Sequence, residues 1–320
     1  MTGMRTDGTS RGGEYPRLWS IVLSGGNGRH LAPMVAQWLG RERPKQYCTF
    51  TGTRSMLQHT IDRADRLASP EHRITVVDTT HCDAAEQLRS RSGRVVVQPR
   101  NCDTAPGIYL PLTYVRAADP SATVVIYPAD HFIYPETEFV QALRHAVWAV
   151  DVLKDRIIVM GVRPRGQRLD YRHIRLDRRL GVYGAHALWT VGRFIEQPSL
   201  QAPQVLAGDD LLWNTMVIVA RVDLLWAVGY KILPSMVRLF ETFQPAIGSA
   251  RESRVLSTLY DNMPVRNFST DILEHLPHRL AALDVPEVHW SDWQSPERIV
   301  DSLRYIGKVP LFPLQQVGVA

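Results

Sequence analysis

The chain has 320 residues, of which 45% are hydrophobic and 22% charged, and its formal net charge is +5. This composition is ordinary for a globular protein and provides enough apolar residues for one large domain or two small ones. Only four of the 37 lysines and arginines are lysines, and the basic residues are interleaved with acids, which excludes a basic stripe for nucleic acid.

The cysteines and apolar runs indicate the compartment. Cys48, Cys82 and Cys102 fit neither a disulfide framework nor a zinc site, and they favour a reducing cytosol. Residues 1–14 lack the apolar segment of a secretory signal, and no apolar run approaches the ~18–20 residues of a membrane span. We therefore expect a cytoplasmic protein with no nucleic-acid or membrane partner, and a homo-oligomer stays open.

Strand and helix patterns alternate through the first half of the chain. The predicted strands lie at 18–23, 73–77, 94–98, 122–127 and 156–162. The predicted helices lie at 55–67, 81–90, 105–117 and 138–152. Because these strands are apolar on both faces, the pattern predicts an α/β fold with a mixed, mostly parallel sheet and helices on both faces.

The pattern becomes irregular after about residue 163. In chain order it predicts antiparallel strands at 182–188 and 190–195, a return of the core pattern at 211–219 and 224–228, a helical region at 236–284, and a late strand or loop at 289–292. We expect a flexible tail at 1–14, one domain at 15–305 and a C-terminal tail at 306–320. No internal repeat divides the chain.

A glycine-rich turn directly follows the first predicted strand. Residues 24–33 read SGGNGRHLAP, and a basic segment, RPKQ, follows at 43–46. Glycines let backbone N–H groups face a phosphate closely, and Lys45 adds a point charge for a polyphosphate. The spacing excludes a Walker A loop, since no lysine follows Gly28, and a dinucleotide fingerprint, since residue 31 is leucine. The alternative is a glycine turn that only ends the strand.

Polar residues also follow two other predicted strands. Asp130, in the segment PADH at 128–131, lies at the edge where open α/β sheets bind ligands, and its carboxylate suits Mg²⁺. An aspartate that caps the next turn is the alternative, and His131 is expected to be a structural residue. Gln98 and Thr104, around a Pro/Gly-rich loop, have groups that can read a base edge; an ordinary turn with a threonine cap is the alternative.

In this order the segments resemble the sugar-phosphate nucleotidyltransferases, most closely the mannose-1-phosphate guanylyltransferase branch. The family patterns and their counterparts are G-G-x-G-T-R-L-x-P at 25–33, R-P-K-Q-F at 43–47, P-x-N-x-x-T-A-P at 99–106, P-(A/S)-D-H at 128–131, F-x-E-K-P at 194–198, L-W-N-S at 212–215 and W-S-D-(V/L)-G at 290–294. The resemblance spans about residues 17–304. It implies a Rossmann-like, glycosyltransferase-A-type sheet and a reaction of GTP with mannose 1-phosphate that yields a nucleotide sugar and pyrophosphate.

The resemblance also implies a role for individual residues. These are phosphate binding by Gly25, Gly26 and Gly28; catalysis by Lys45 and Asp130; contact with the base by Gln98 and Thr104; contact with the sugar by Glu196 and Asn214; and Mg²⁺ binding by Asp130 and Asp292. We add Arg29 to the catalytic residues and Arg172 to the sugar contacts, because their charges can replace those that the family has at positions 30 and 197. Such a set is physically sensible, because phosphoryl transfer needs positioning and charge neutralisation more than covalent work by the protein.

Several positions depart from the family pattern. His30 stands in the usual arginine slot, with Arg29 beside it, and Gln197 replaces a lysine that would hold the sugar phosphate. The segment 170–174, DYRHI, replaces a glycine-rich G-Y-G-(Y/W)-I, although Arg172 within it offers a positive charge. These departures leave a second hypothesis open, a catalytically impaired regulatory protein that binds a nucleotide sugar.

Overall fold

One nine-stranded sheet organises the computed structural model, which describes residues 15–81, 88, 92–165, 171–196 and 208–314. Its strands, with the two of a separate ribbon, are β1 Leu18–Ser24, β2 Arg73–Asp78, β3 Arg94–Gln98, β4 Thr123–Pro128, β5 Phe132–Tyr134, β6 Ile157–Val162, β7 His173–Tyr183, β8 His186–Ile195, β9 Leu211–Arg221, β10 Leu280–Asp284 and β11 His289–Ser291. The order across the large sheet is β3-β2-β1-β4-β9-β6-β10-β8-β7. All of its strands except β8 and β9 run in one direction, which confirms the predicted mixed, mostly parallel sheet.

Helices cover both faces of this sheet, as the alternating pattern predicts. The helices are α1 Ala32–Leu39, α2 Met56–Ala64, α3 Thr104–Ala118, α4 Glu136–Val152, α5 Val222–Ile232, α6 Pro234–Phe243, α7 Glu252–Asp261, α8 Phe268–Asp271 and α9 Pro296–Tyr305. Helices α3, α5, α6 and α7 pack on one face, and α2 and α4 pack on the other. None of the helices in the described ranges is long and apolar enough to cross a bilayer.

Consecutive strand residues enter different cores. Ile21 of β1 and Val124 of β4 belong to one hydrophobic cluster, whereas their neighbours Val22 and Val125 belong to the other. Side chains on a strand alternate between faces, so a strand that is covered twice needs an unbroken apolar run. This explains why the strands lack a polar alternation in the sequence.

A third, smaller hydrophobic cluster joins the two ends of the described chain. Met34 and Val35 of α1 pack there with Ile299 and Leu303 of α9. Phe312, from the segment predicted as a C-terminal tail, is buried in this cluster. The cluster therefore connects α1, directly after the glycine turn, to the last helix.

The ribbon of β5 and β11 joins two distant parts of the sequence. The strands are antiparallel, with Phe132 opposite Ser291. Continuing this register by one residue places Asp292 beside His131, the residue after Asp130. The ribbon thus explains why two acidic segments that are far apart in sequence come together.

The structure corrects three segment predictions in the second half. The runs at 182–188 and 190–195 belong to one hairpin of β7 and β8, with its turn at 184–185. Residues 224–228 lie in α5, and the region 236–284 ends as β10, inside the large sheet between β6 and β8. Helix α1 was not predicted, and most of the predicted helix at 81–90 lies outside the described residues.

Candidate active site

A cleft lies at the edge of the sheet where the parallel strands β1, β3 and β4 end. Its volume is about 760 Å³, and its lining includes Gly28, Arg29, His30, Lys45, Asp130 and Arg172. Strand β1 lies between β2 and β4, so the chain order reverses at this point of the sheet. Open α/β sheets bind ligands at such a reversal, outside the carboxyl ends of their strands.

The glycine turn is held in place by the basic segment that follows it. Gln46 Nε2 donates to the carbonyl oxygens of Ser24 (3.0 Å) and Gly26 (2.6 Å). Gly28 has φ +58°, and a Cβ at this position would lie 3.1 Å from the backbone nitrogen of Lys45. The turn and the segment around Lys45 are therefore one unit, and Gln46 is a supporting residue whose role the sequence analysis did not identify.

Lys45 connects two acidic segments. Its side chain is buried, and Nζ lies 2.9 Å from Asp130 Oδ2 and donates to the carbonyl oxygen of Asp292 at 2.6 Å. Burial disfavours the charged form of Asp130, but the Lys45 ammonium outweighs this, so the pKa of Asp130 lies below its ordinary value. The Asp130 side chain is a third exposed and lines the cleft.

His131, next in the chain, is structural in its contacts. It is buried, Nδ1 lies 3.1 Å from the carbonyl oxygen of Thr215, and the ring stands edge-on to Trp290. Burial lowers the pKa of His131, with Asp130 opposing this shift. A neutral imidazole thus supports Asp130 from behind.

The residues predicted to contact the base lie beside the glycine turn. Gln98 is buried next to Gly25, and its Nε2 has no hydrogen-bond partner among the residues that the structure describes. Thr104 Oγ1 accepts a hydrogen bond from the Phe268 N–H at 2.8 Å, and Asp103 caps α3 in its place. Gln98 therefore has a free donor at this edge, whereas the hydroxyl of Thr104 anchors α8.

The residues predicted to contact the sugar meet at Arg172. Arg172 Nε donates to the almost fully buried carboxylate of Glu196, and the Asn214 N–H donates to the Arg172 carbonyl at 2.9 Å. Burial raises the pKa of Glu196, and Arg172 opposes this shift. Among these three, Arg172 lines the cleft. Gln197, beside Glu196, lies outside the described residues.

The two predicted metal ligands differ in their surroundings. Asp130 presents a partly exposed carboxylate to the cleft, and Mg²⁺ commonly binds one or two carboxylates together with substrate phosphates. The carboxylate of Asp292 is buried and accepts a hydrogen bond from Arg298 Nη1. No group of three or more His, Cys, Asp or Glu residues in the described part of the chain is arranged to hold a metal ion. The donor set fits Mg²⁺ at Asp130 but not at Asp292.

Several cleft residues had no assigned role in the sequence analysis, among them two polar ones after β3. Asn101 and Asp103 line the cleft from the loop after β3, and Asn101 Nδ2 donates to the Gly25 carbonyl at 3.4 Å. These residues could have been predicted to lie at the cleft, because they follow the end of β3. Seven of the predicted site residues do not line the cleft: Gly25, Gly26, Gln98, Thr104, Glu196, Asn214 and Asp292.

Comparisons with known proteins place this geometry in context. Residues 19–238 match a family model described as Nucleotidyl transferase. A mannose-1-phosphate guanylyltransferase from Escherichia coli is 24% identical over 288 residues, covering 87% of this chain and 60% of that protein. One from Klebsiella pneumoniae is 27% identical over 237 residues, covering 73% of this chain and 48% of that protein. The chain thus spans about half of each relative's length.

A solved structure supports the fold. It is described as a mannose-1-phosphate geranyltransferase from Thermus thermophilus, with a TM-score of 0.74 and 21% identity. The match covers 89% of this chain and 79% of that one. At this identity the similarity concerns the architecture.

Proposed function

Because the chain belongs to the nucleotidyl transferase family, in its mannose-1-phosphate guanylyltransferase-like branch, we propose that it joins GTP to mannose 1-phosphate. The observation that carries this proposal is one cleft that combines the glycine turn, the Lys45–Asp130 pair and Arg172. A phosphate oxygen of the sugar phosphate attacks the α-phosphorus of the nucleotide. The bond from that phosphorus to the bridging oxygen breaks, and pyrophosphate leaves.

The nucleotide would lie against the glycine turn. Backbone N–H groups of this turn and the Lys45 ammonium suit the phosphates, and Arg29 and His30 both face the same cleft. Arg29 can therefore supply the guanidinium that the family has one position later. Gln98 Nε2, which has no hydrogen-bond partner among the described residues, would donate to an acceptor on the base.

The acceptor phosphate would lie against Arg172. Glu196 fixes this guanidinium through Nε, and the side chain still lines the cleft. Hydrogen bonds to charged groups contribute about 1.5–3 kcal/mol each. Arg172 can therefore take over the role of the lysine that Gln197 replaces.

Asp130 would hold Mg²⁺, which when bound neutralises charge on the triphosphate oxygens. Lys45 keeps the carboxylate of Asp130 ionised and fixed in position. His131 lies behind it, with Nε2 3.7 Å from Asp130 Oδ1. These residues supply the preorganised charge on which phosphoryl transfer depends.

A pyrophosphate-release assay tests the proposal. The panel combines GTP and other nucleoside triphosphates with several sugar 1-phosphates, in the presence of Mg²⁺. We expect turnover with GTP and mannose 1-phosphate, its loss in Asp130→Asn, and its retention in Asp151→Asn, an exposed acid near the end of α4. Tight binding of GTP or GDP-mannose without turnover for any pair would instead favour the regulatory hypothesis.

A further inference from the structure

A buried ion pair occupies the place where a second metal ligand is expected. Arg298 of α9 donates to the Asp292 carboxylate, and the two side chains are 4% and 5% exposed. Neither charge is accessible to substrate. A buried charge without its partner is strongly unfavourable, so each of these groups depends on the other.

Arg298 also contacts Tyr171, which precedes the cleft residue Arg172 in the chain. Its guanidinium carbon lies 4.1 Å from the centroid of the Tyr171 ring, a cation–π geometry. The Tyr171 hydroxyl lies 3.2 Å from Ser291 Oγ, and its ring packs against Trp213. The next residue in the chain is Arg172.

We infer that Asp292 serves as the anchor of Arg298 rather than as a metal ligand, and that the pair holds Tyr171 and so positions Arg172. Of the two acids, Asp130 alone would then hold the metal ion. This part of the inference rests on the proposed function. Moving Asp292 onto a metal would break this buried ion pair. Breaking such a pair costs about 100-fold or more in the folding equilibrium constant.

Metal binding without turnover distinguishes the two acids. We would titrate Mn²⁺ into the protein with GTP present and follow water proton relaxation. Asp130→Asn should weaken Mn²⁺ binding at least 10-fold, whereas Asp292→Asn should change it less than 3-fold. An equal loss in both variants overturns the inference. If Asp292→Asn does not fold, the double variant Asp292→Asn/Arg298→Met lacks both charges and carries the same comparison.

A double-mutant cycle tests the pair without any metal. Unfolding by urea of Asp292→Asn, Arg298→Met and the double variant should show a coupling of at least 10-fold in the unfolding equilibrium constant. A coupling below 2-fold overturns the inference. Absence of Mn²⁺ binding by the unmodified protein would refute the proposed role of Asp130, and this cycle would then decide the role of Asp292.

The positioning role has its own measurement. Calorimetry should show at least 5-fold weaker binding of mannose 1-phosphate to Arg298→Met, with GTP binding changed less than 2-fold. A structural defect alone would weaken both ligands together, and that result contradicts a role through Tyr171 and Arg172.

Discussion

Replacing Gly28 by alanine should damage the cleft through Lys45. Gly28 has φ +58°, and the left-handed conformation costs an alanine about 1–2 kcal/mol. The new Cβ would also lie 3.1 Å from the Lys45 nitrogen and 3.3 Å from its Cγ, and such crowding costs about 1–3 kcal/mol. Together these terms predict a loss of about 2–5 kcal/mol in the free energy of unfolding.

Lys45 has little room to retreat, because the adjacent Gln46 side chain is bonded to two carbonyls of the turn. A displacement would lengthen the contacts from Nζ to Asp130 and Asp292, now 2.9 and 2.6 Å. Losing one charge-assisted contact, about 1.5–3 kcal/mol, lowers kcat/KM about 10- to 150-fold.

Two other glycines provide matched controls for this substitution. Gly40 has φ +67° and no atom within 4 Å of the position that a Cβ would take, so Gly40→Ala should lose only the backbone cost of about 1–2 kcal/mol and keep its kcat/KM. Gly26 is also unobstructed and is outside the left-handed region, so Gly26→Ala should stay within about 0.5 kcal/mol in stability. Urea unfolding and pyrophosphate release measure both quantities. If Gly28→Ala matches Gly40→Ala in both, the reasoning about Lys45 is refuted.

Three further predictions concern other parts of the molecule. Arg172→Gln should raise the KM for the sugar phosphate about 10- to 150-fold and leave the KM for the nucleotide unchanged. Arg175→Gln, in β7 and paired with Asp210 outside the cleft, should leave both KM values unchanged. Equal effects of the two substitutions would contradict the assignment of Arg172 to the sugar phosphate. Burial, and then the charge of Arg165, lowers the pKa of His289 to about 4. Below pH 6.5 the unfolded chain therefore binds a proton that the folded protein does not, so Tm should fall as the pH drops toward 4. His289→Phe should flatten this dependence of Tm on pH, and an unchanged slope would contradict the role of His289. Phe312→Ala should lower the free energy of unfolding by about 3–5 kcal/mol in urea, whereas Leu311→Ala, at a side chain that is 54% exposed, should change it by at most about 0.5 kcal/mol. Equal losses in the two variants would contradict the packing of Phe312 in the third cluster.

The first half of the fold follows closely from local pattern. Strands β1, β2 and β4 are continuous apolar runs bounded by polar turns, as expected of parallel strands that are covered on both faces, whereas the edge strand β3 exposes alternate side chains. The glycine turn and Asp130 could be located because each directly follows such a strand. Their meeting in one cleft is a consequence of the sheet order.

The later elements depend on tertiary contacts that the local pattern does not contain. Residues 280–284, LAALD, are good helix formers, yet they form β10 because β6 and β8 offer backbone partners on both sides. Residues 224–228 are apolar and short, a pattern that does not separate a buried strand from a helix. The pairing of Arg298 with Asp292 could not be predicted from the sequence, because the two residues are six positions apart and only the fold of the segment between them brings them together.

Because of the ribbon of β5 and β11, one contact of Lys45 depends on a segment that is synthesised long after the glycine turn. The backbone carbonyl that receives the Lys45 ammonium belongs to residue 292, near the C-terminal end of the described chain. A nascent chain that has already formed β1 to β4 and the glycine turn still lacks this carbonyl. Until β11 emerges from the ribosome and docks, we expect Lys45 to be held by Asp130 alone, so nucleotide capture should mature only after this strand has been synthesised.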